Sequence, residues 1–184
     1  MNYTIRLAKP ADAPGIIDVA RHTWNLTYAQ SIAAHNRQRF LGQAYTQSAL
    51  EEAIRQAGGW FYVAAQSKTV VGFAQYLRRF DAQGELVRIY VHPGHQRRSI
   101  GSAFLEAGLN AMASEGIGRC HASVEVDNRI ARAFYERYGF SLHREFGRFL
   151  GDQIIRLVEY VAPIASLLDT INHRKTIEKG TEQI

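Results

Sequence analysis

Between Leu86 and Tyr138 the apolar residues change spacing three times, from alternation to helical intervals, back to alternation, and to helical intervals again. This constrains the fold more than any other feature, because side chains alternate faces along a strand and recur every three or four residues on a helix. Residues 86–91 read as a strand stopped at His92-Pro93. Ile100, Phe104, Ala107 and Ala111 then recur at helical spacing through Ser114, and Gly116 stands where a C-terminal cap belongs. Residues 120–126 are the next strand. Asp127-Asn128 can cap a helix over 129–138, which Gly139 closes.

The flanks complete the pattern. Residues 3–7 alternate like a short strand, and Pro10-Ala11-Asp12 opens a helical run through Ile16, Ile17 and Ala20 to Trp24. Residues 25–57 are polar and helical in tone, with breaks expected at Gly42 and Thr46. Residues 60–66 and 69–76, split by Ser67-Lys68, read as a hairpin, and 140–146 and 153–161 as the last strands. Strands alternating with helices, with hairpins at both ends, give an α/β sheet of mixed direction rather than a sandwich or a bundle. A chain of 184 residues suits one core. We place the domain at 1–163 and leave 164–184 as a polar tail, helical or partly disordered, or packed on a partner.

Composition excludes several classes. No apolar run approaches the roughly 20 residues that span a bilayer, so no membrane association is expected. The N-terminus lacks a signal-peptide layout, which points to the cytoplasm. Cys120 is the single cysteine and reads as a small core residue. The formal charge of +5 comes mostly from scattered arginines, with no RNA-binding aromatic signature or zinc-finger spacing. Nucleic acid is therefore not expected, whereas a modest positive field suits a small polyanionic ligand. His92 and His95 have no third ligand at matching spacing, so no metal is expected. His121 reads as a core or sheet-edge residue.

Two stretches carry chemistry. In HPGHQRRSIGS, residues 92–102, a tight loop feeds a helix N-terminus, where unpaired N–H groups and the macrodipole attract phosphate. Taken alone, it reads equally as a solvated basic loop with Ser99 as an ordinary N-cap. In DNRIARAFYERYGF, residues 127–140, Ile130, Ala131, Phe134 and Tyr138 form one apolar stripe, with Tyr135 a turn beyond Ala131. Alone, this is a plain amphipathic helix with Tyr135 in the core.

Together and in this order, the two stretches resemble the GNAT superfamily of N-acetyltransferases. Its acyl-CoA loop has the form Q/R-x-x-G-x-G/A after a strand often ending in V-x-P. Here it stands as Gln96-Arg97-Arg98-Ser99-Ile100-Gly101 after Val91-His92-Pro93, with Ser99 where the family usually has glycine. The later helix, N-x-x-A-x-x-F/L-Y-x-x-x-G-F, is matched in full by Asn128, Ala131, Phe134, Tyr135, Gly139 and Phe140. With the opening IRLAKPADAPGI, the resemblance covers roughly residues 3–161.

The resemblance implies a mixed, mostly antiparallel central sheet with a splayed pair of parallel strands, flanked by helices. It implies acetyl-CoA as cosubstrate and an acceptor that is a primary amine of a small molecule or peptide. The strands would part around Ile89, Tyr90 and Val91 to admit the pantetheine arm. Gln96, Arg97, Arg98, Ser99, Ile100, Gly101 and Ser102 would hold the pyrophosphate, and Asn128 the pantetheine. Tyr135 would protonate the departing thiolate. Glu85 is the candidate base, with Glu125 as its rival and water as the third choice. Trp24, Tyr28 and Gln75 are candidates to line the acceptor site, with ordinary packing an equal role for the aromatics. Ser99 is expected to keep a negative φ, its hydroxyl capping the helix or bonding a phosphate. A catalytically idle acyl-CoA-binding module is the alternative function, and the family leaves room for a homodimer sealed by the tail.

Overall fold

A computed structural model describes residues 3–181. Thr4–Leu7 forms β1, and a 3-10 turn at Pro10–Asp12 leads into α1 (Ala13–Thr27). The Arg6 guanidinium donates to both Asp12 oxygens, at 2.7 and 2.8 Å, and so ties strand to helix. Two further helices follow, α2 (Ala34–Ala44) and α3 (Gln47–Arg55). Gly42 does not break α2 as the sequence suggests; a Cβ there would meet nothing within 4 Å, so the exposed helix simply runs through it. Thr46 does mark a boundary, because its hydroxyl accepts from the Ala49 N–H and caps α3.

The expected hairpin forms as β2 (Gly59–Gln66) and β3 (Thr69–Arg78). Next come β4 (Gln83–Val91), α4 (Ile100–Ser114), β5 (Arg119–Glu125) and α5 (Arg129–Arg137). The chain ends in β6 (Ser141–Leu150), β7 (Gln153–Pro163) and α6 (Ile164–Thr181). Gly116, at φ +74°, turns the chain out of α4 in the left-handed conformation that only glycine adopts freely. The strands assemble in the order β1-β2-β3-β4-β5-β7-β6, antiparallel except for the β4–β5 pair. This is the mixed, helix-flanked sheet expected. No helix among the described residues is long and apolar enough to cross a membrane.

Each face of the sheet has its own core. On one, α4 buries Phe104, Leu105, Leu109 and Met112 against Tyr76, Leu86 and Ala122, and α6 adds Ile164, Leu167 and Ile171. On the other, α1 to α3 bury Ile16, Val19, Trp24, Tyr28, Leu41 and Leu50 against Phe61, Val63 and Phe73. Ile130 departs from the expected stripe on α5, being 83% exposed. The inward face of that helix is Ala131, Phe134, Tyr135 and Tyr138 instead, because α5 docks about one position round from the turn that begins it.

The feature that makes a site is where β4 and β5 separate. β4 stays paired with β3 as far as Val91, but it pairs with β5 only from Gln83 to Leu86. The register of β3 on β4 shifts between Gln75 and Tyr76, opposite this point. Such a bulge bends a strand and adds twist, which carries β4 away from β5. Residues 87–91 therefore have no ladder partner on the β5 side.

Candidate functional site

The loop after β4 closes on itself. Gln96 Nε2 donates to the Val91 carbonyl at 3.2 Å, and the Gly94 N–H donates to His92 Nδ1 at 3.2 Å. The structure corrects the expectation for Ser99, whose φ is +59° rather than negative. Its side chain makes no capping bond; Ser102 Oγ instead donates to the Ser99 carbonyl at 2.8 Å. Arg97 is also left-handed, at φ +58°. A backbone that alternates hands in this way gathers successive N–H groups on its concave side, and the first turn of α4 adds its own unpaired donors. Arg97 and Arg98 stand exposed beside them. This cradle suits a pyrophosphate.

The two sequence stretches meet in space. A Cβ at Gly101 would lie 3.3 Å from the Phe134 ring, so the loop rests directly on α5. Asn128 caps that helix, with its side-chain oxygen accepting from the Ala131 N–H at 3.1 Å. Tyr135 is buried between Phe134, Phe140 and Tyr160, with ring centroids 5.4 to 5.8 Å away. Burial pushes its hydroxyl pKa up, and Tyr28 and Cys120 push it further. Tyr28 belongs to the core on the opposite face of the sheet. The two tyrosines influence each other electrostatically across the sheet. Tyr28 is itself raised by burial, and its contacts with Tyr90 and Asn128 oppose the shift.

The two candidate bases differ in their surroundings. Glu85 accepts from Arg79 Nε at 3.0 Å. Arg79 also donates to Glu159 at 3.0 Å, and Arg144 donates to the other Glu159 oxygen at 2.7 Å. Burial raises the Glu159 pKa, but the bonds from Arg144 and Arg79 outweigh it and hold the carboxyl below its usual range. His121 adjoins this network through Nδ1, 3.3 Å from Glu159, while its Nε2 meets the Gln83 side-chain oxygen at 2.5 Å; burial followed by the Arg79 charge lowers its pKa. Glu125, by contrast, is buried at the end of β5 and is paired with no cation among the described residues. Burial raises its pKa, as does the neighbouring Asp127, and its charge is felt at Tyr28. Cys120 is fully buried and its thiol is pushed up to about 12, so it stays protonated and unreactive, as a core residue should.

Trp24, Tyr28 and Gln75 do come together, beside residues the sequence did not single out. Trp24 stacks on Phe40 at 4.4 Å and meets Tyr28 in a tilted contact at 4.7 Å, and its buried indole N–H faces the hydroxyls of Tyr45 and Tyr90 without a well-formed bond. Gln75 accepts from Arg88 Nε at 2.7 Å, and the Arg88 guanidinium lies 5.1 Å over Tyr45 and 5.6 Å over Phe61. A clamp roofs this side. Asn36 donates to Asp152 at 2.7 Å, and Gln153 donates to the Ser31 carbonyl at 2.7 Å, so the segment after α1 is pinned to the β6–β7 turn. Asn36 and Asp152 stand 116 positions apart, and no local pattern signals such a pair.

The structure also supplies the third side chain that spacing alone denied His92. Asp18 and His22, one turn apart on α1, bring ligand atoms within 4.8 Å of it. With His92 Nδ1 accepting from Gly94, the neutral ring keeps its proton on Nε2 and has no free lone pair to offer a metal.

Comparison with known proteins agrees with this geometry. Residues 23–140 match the acetyltransferase (GNAT) family. The chain is 27% identical over 146 residues to the spermidine N(1)-acetyltransferase of Thermoplasma acidophilum, covering 77% of this chain and 90% of that protein. It is 31% identical over 141 residues to the mycothiol acetyltransferase of Streptomyces avermitilis, covering 72% of this chain but 42% of that longer protein. The fold is shared with the PaiA N-acetyltransferase of T. acidophilum in complex with coenzyme A, at a TM-score of 0.76 and 24% identity over 86% of this chain and 98% of that one. The ribosomal-protein-S18-alanine N-acetyltransferase of Escherichia coli shares it at a TM-score of 0.68 and 18% identity, over 89% and 94% of the two chains.

Proposed function

The chain belongs to the GNAT family of acetyltransferases, and on that premise we propose that it moves the acetyl group of acetyl-CoA to a primary amine of a small molecule or peptide, directly, in a ternary complex. The observation that carries this reading is the parting of β4 from β5 after Leu86, which leaves the β5-facing edge of 87–91 without a ladder partner. Acetyl-CoA supplies the activated thioester. The chain supplies the rest. The left-handed loop at Arg97 and Ser99 holds the pyrophosphate on backbone N–H groups. The free backbone of Ile89 to Val91 pairs with the pantetheine arm, and an N–H there polarises the thioester carbonyl before reaction begins. Asn128, besides capping α5, faces that arm.

Transfer forms one C–N bond and breaks one C–S bond; the ammonium gives up two protons, one before attack and one as the amide forms, and of these equivalents one ends on the CoA sulfur and one passes to solvent. Glu125 is the base we favour for the first proton. Burial, and then the neighbouring Asp127, raise its pKa, which makes the carboxylate more basic than usual. Glu85, by contrast, already has one of its oxygens bound to the Arg79 cation at 3.0 Å. For the proton that reaches sulfur, Tyr135 stays protonated through neutral pH and donates to the departing sulfur in a dry site, where such a bond is strong. The protonated Cys120 thiol supports direct transfer over an acyl-cysteine route.

The test is thiol release from acetyl-CoA across a panel of amines, with CoA binding measured in parallel. Turnover on at least one primary amine is expected. CoA binding with no turnover on any amine would sink the catalytic reading in favour of an idle acyl-CoA module.

A further inference from the structure

The six arginines Arg6, Arg55, Arg78, Arg79, Arg144 and Arg156 each meet a carboxylate at 2.7 to 3.2 Å. Arg88 is partly buried and has none among the described residues. It donates to Gln75 at 2.7 Å, has the Tyr45 hydroxyl as its other polar neighbour, and lies over the Tyr45 and Phe61 rings. A guanidinium has five N–H donors and no acceptor, so most of its hydrogen-bonding capacity is unspent. Its neighbours add to the excess of donors. The Trp24 indole N–H, 94% of that residue being buried, makes no well-formed bond and faces only the hydroxyls of Tyr45 and Tyr90. The hydroxyls of Tyr28, Tyr45 and Tyr90 gather beside it, all held protonated by burial. A partly buried cation lined by aromatic rings, with donors and no anion, is the complement of an oxyanion.

This donor cluster adjoins the reaction centre. Arg88 and Tyr90 share a face of β4 and stand two residues, or about 7 Å, apart. Tyr90 touches Tyr28, which in turn feels Glu125 and Tyr135. One end of the site is therefore rich in donors around a cation, and the other holds a buried carboxylate.

Resting on the acetyltransferase reading, we infer that the acceptor is an amine that also carries an oxyanion, a carboxylate or a phosphate, held by Arg88 with Tyr45, Tyr90 and Trp24 while its amino group lies at Glu125 and Tyr135. Such a ligand pairs both buried charges at once. A polyamine would instead place a second ammonium against an unpaired guanidinium, and an amine without charge at that end would leave the donors unsatisfied. Arg88 is thus a specificity residue for the acceptor's anionic end.

The test uses the full chain and acetyl-CoA with three matched sets of acceptors. Amino acids of increasing length form the carboxylate set, from glycine to 4-aminobutyrate. Phosphoethanolamine forms the phosphate set, and glycinamide, ethanolamine and spermidine form the set without an anion. One anionic set should exceed its neutral counterparts by about 100-fold in kcat/KM, about 2.7 kcal/mol, and which one it is identifies the oxyanion. Arg88→Gln should raise KM for that set by a similar factor, leaving the KM of neutral amines and the Kd for CoA within about three-fold, and Arg88→Lys should recover part of the loss. Calorimetric binding of the same acceptors to the CoA complex runs alongside. If CoA binds but no amine turns over, the transferase reading fails, while the binding data still decide the role of Arg88. Preference for spermidine or neutral amines overturns the inference. So does an Arg88→Gln variant that weakens all acceptors equally, which would make Arg88 a prop for Tyr45 and Phe61.

Discussion

Gly108→Ala should destabilise this protein although it replaces the second-worst helix former with the best. Within a helix the change by itself favours Ala by about 1 kcal/mol. Gly108 lies in the middle of α4 against the sheet, and a Cβ there would fall under 3.0 Å from three ring carbons of Tyr76. Tyr76 is fully buried, and its hydroxyl donates to the Phe104 carbonyl at 2.9 Å. The ring cannot turn aside without losing that bond, which would cost about 1–3 kcal/mol for a buried donor left unpaired. Alternatively α4 lifts from the sheet, and overpacking of a close-packed core costs about 1–3 kcal/mol. Less the propensity gain of about 1 kcal/mol, the net loss is up to about 2 kcal/mol. At about 2–4 °C per kcal/mol for a chain of this length, the melting temperature falls by up to about 8 °C. Gly42→Ala is the control, since its Cβ meets nothing and the same substitution in α2 should raise stability by up to about 1 kcal/mol. Calorimetric melts and urea midpoints at constant m decide the matter. If Gly108→Ala stabilises as Gly42→Ala does, α4 does not sit as tightly on Tyr76 as argued. Displacing α4 also displaces the loop at its N-terminus, so weaker CoA binding should accompany the lower melting temperature.

Three further outcomes are expected. Tyr135→Phe should lower kcat ten-fold or more with CoA affinity little changed; unaltered turnover would remove Tyr135 as the acid. Glu125→Gln should abolish the acid limb of the kcat/KM–pH profile and Glu85→Gln should keep it, while persistence of the limb in Glu125→Gln would return the role to Glu85 or water. Because the fold raises the Glu125 pKa, folding favours its protonated form, and this carboxyl costs stability as pH rises from its ordinary value through the folded one; Glu125→Gln should therefore out-melt the parent above that window and not below it. Ser99→Gly removes a left-handed serine whose strain is about 1–2 kcal/mol, partly offset by the roughly 0.4–1 kcal/mol of extra freedom that glycine gives the unfolded chain. A rise of up to about 4 °C in melting temperature is expected, with acetyl-CoA affinity changed by less than about ten-fold; a fall in melting temperature would contradict the left-handed φ.

The strand–loop–helix after Leu86 and the helix after Asn128 were legible because their signals are local. Periodicity, the Asn128 cap on Ala131 and the turn at Gly116 all act within a few residues, so they can be read without knowing what lies across the fold. The sign of φ at Ser99 was not legible, since serine is compatible with either hand and the choice belongs to the closed loop between Val91 and α4. Nor was the outward face of Ile130, which helical spacing assigns to the stripe and docking angle excludes.

The sequence by itself determined most of the elements and their order, because hydrogen bonds within helices, caps and turns join near neighbours. Only tertiary structure decided that β4 leaves β5 after Leu86, and that Glu85 has a cation while Arg88 has no anion among the described residues. Whether a charge is paired depends on chain segments far apart in sequence, and the energy of a buried charge depends almost wholly on what faces it.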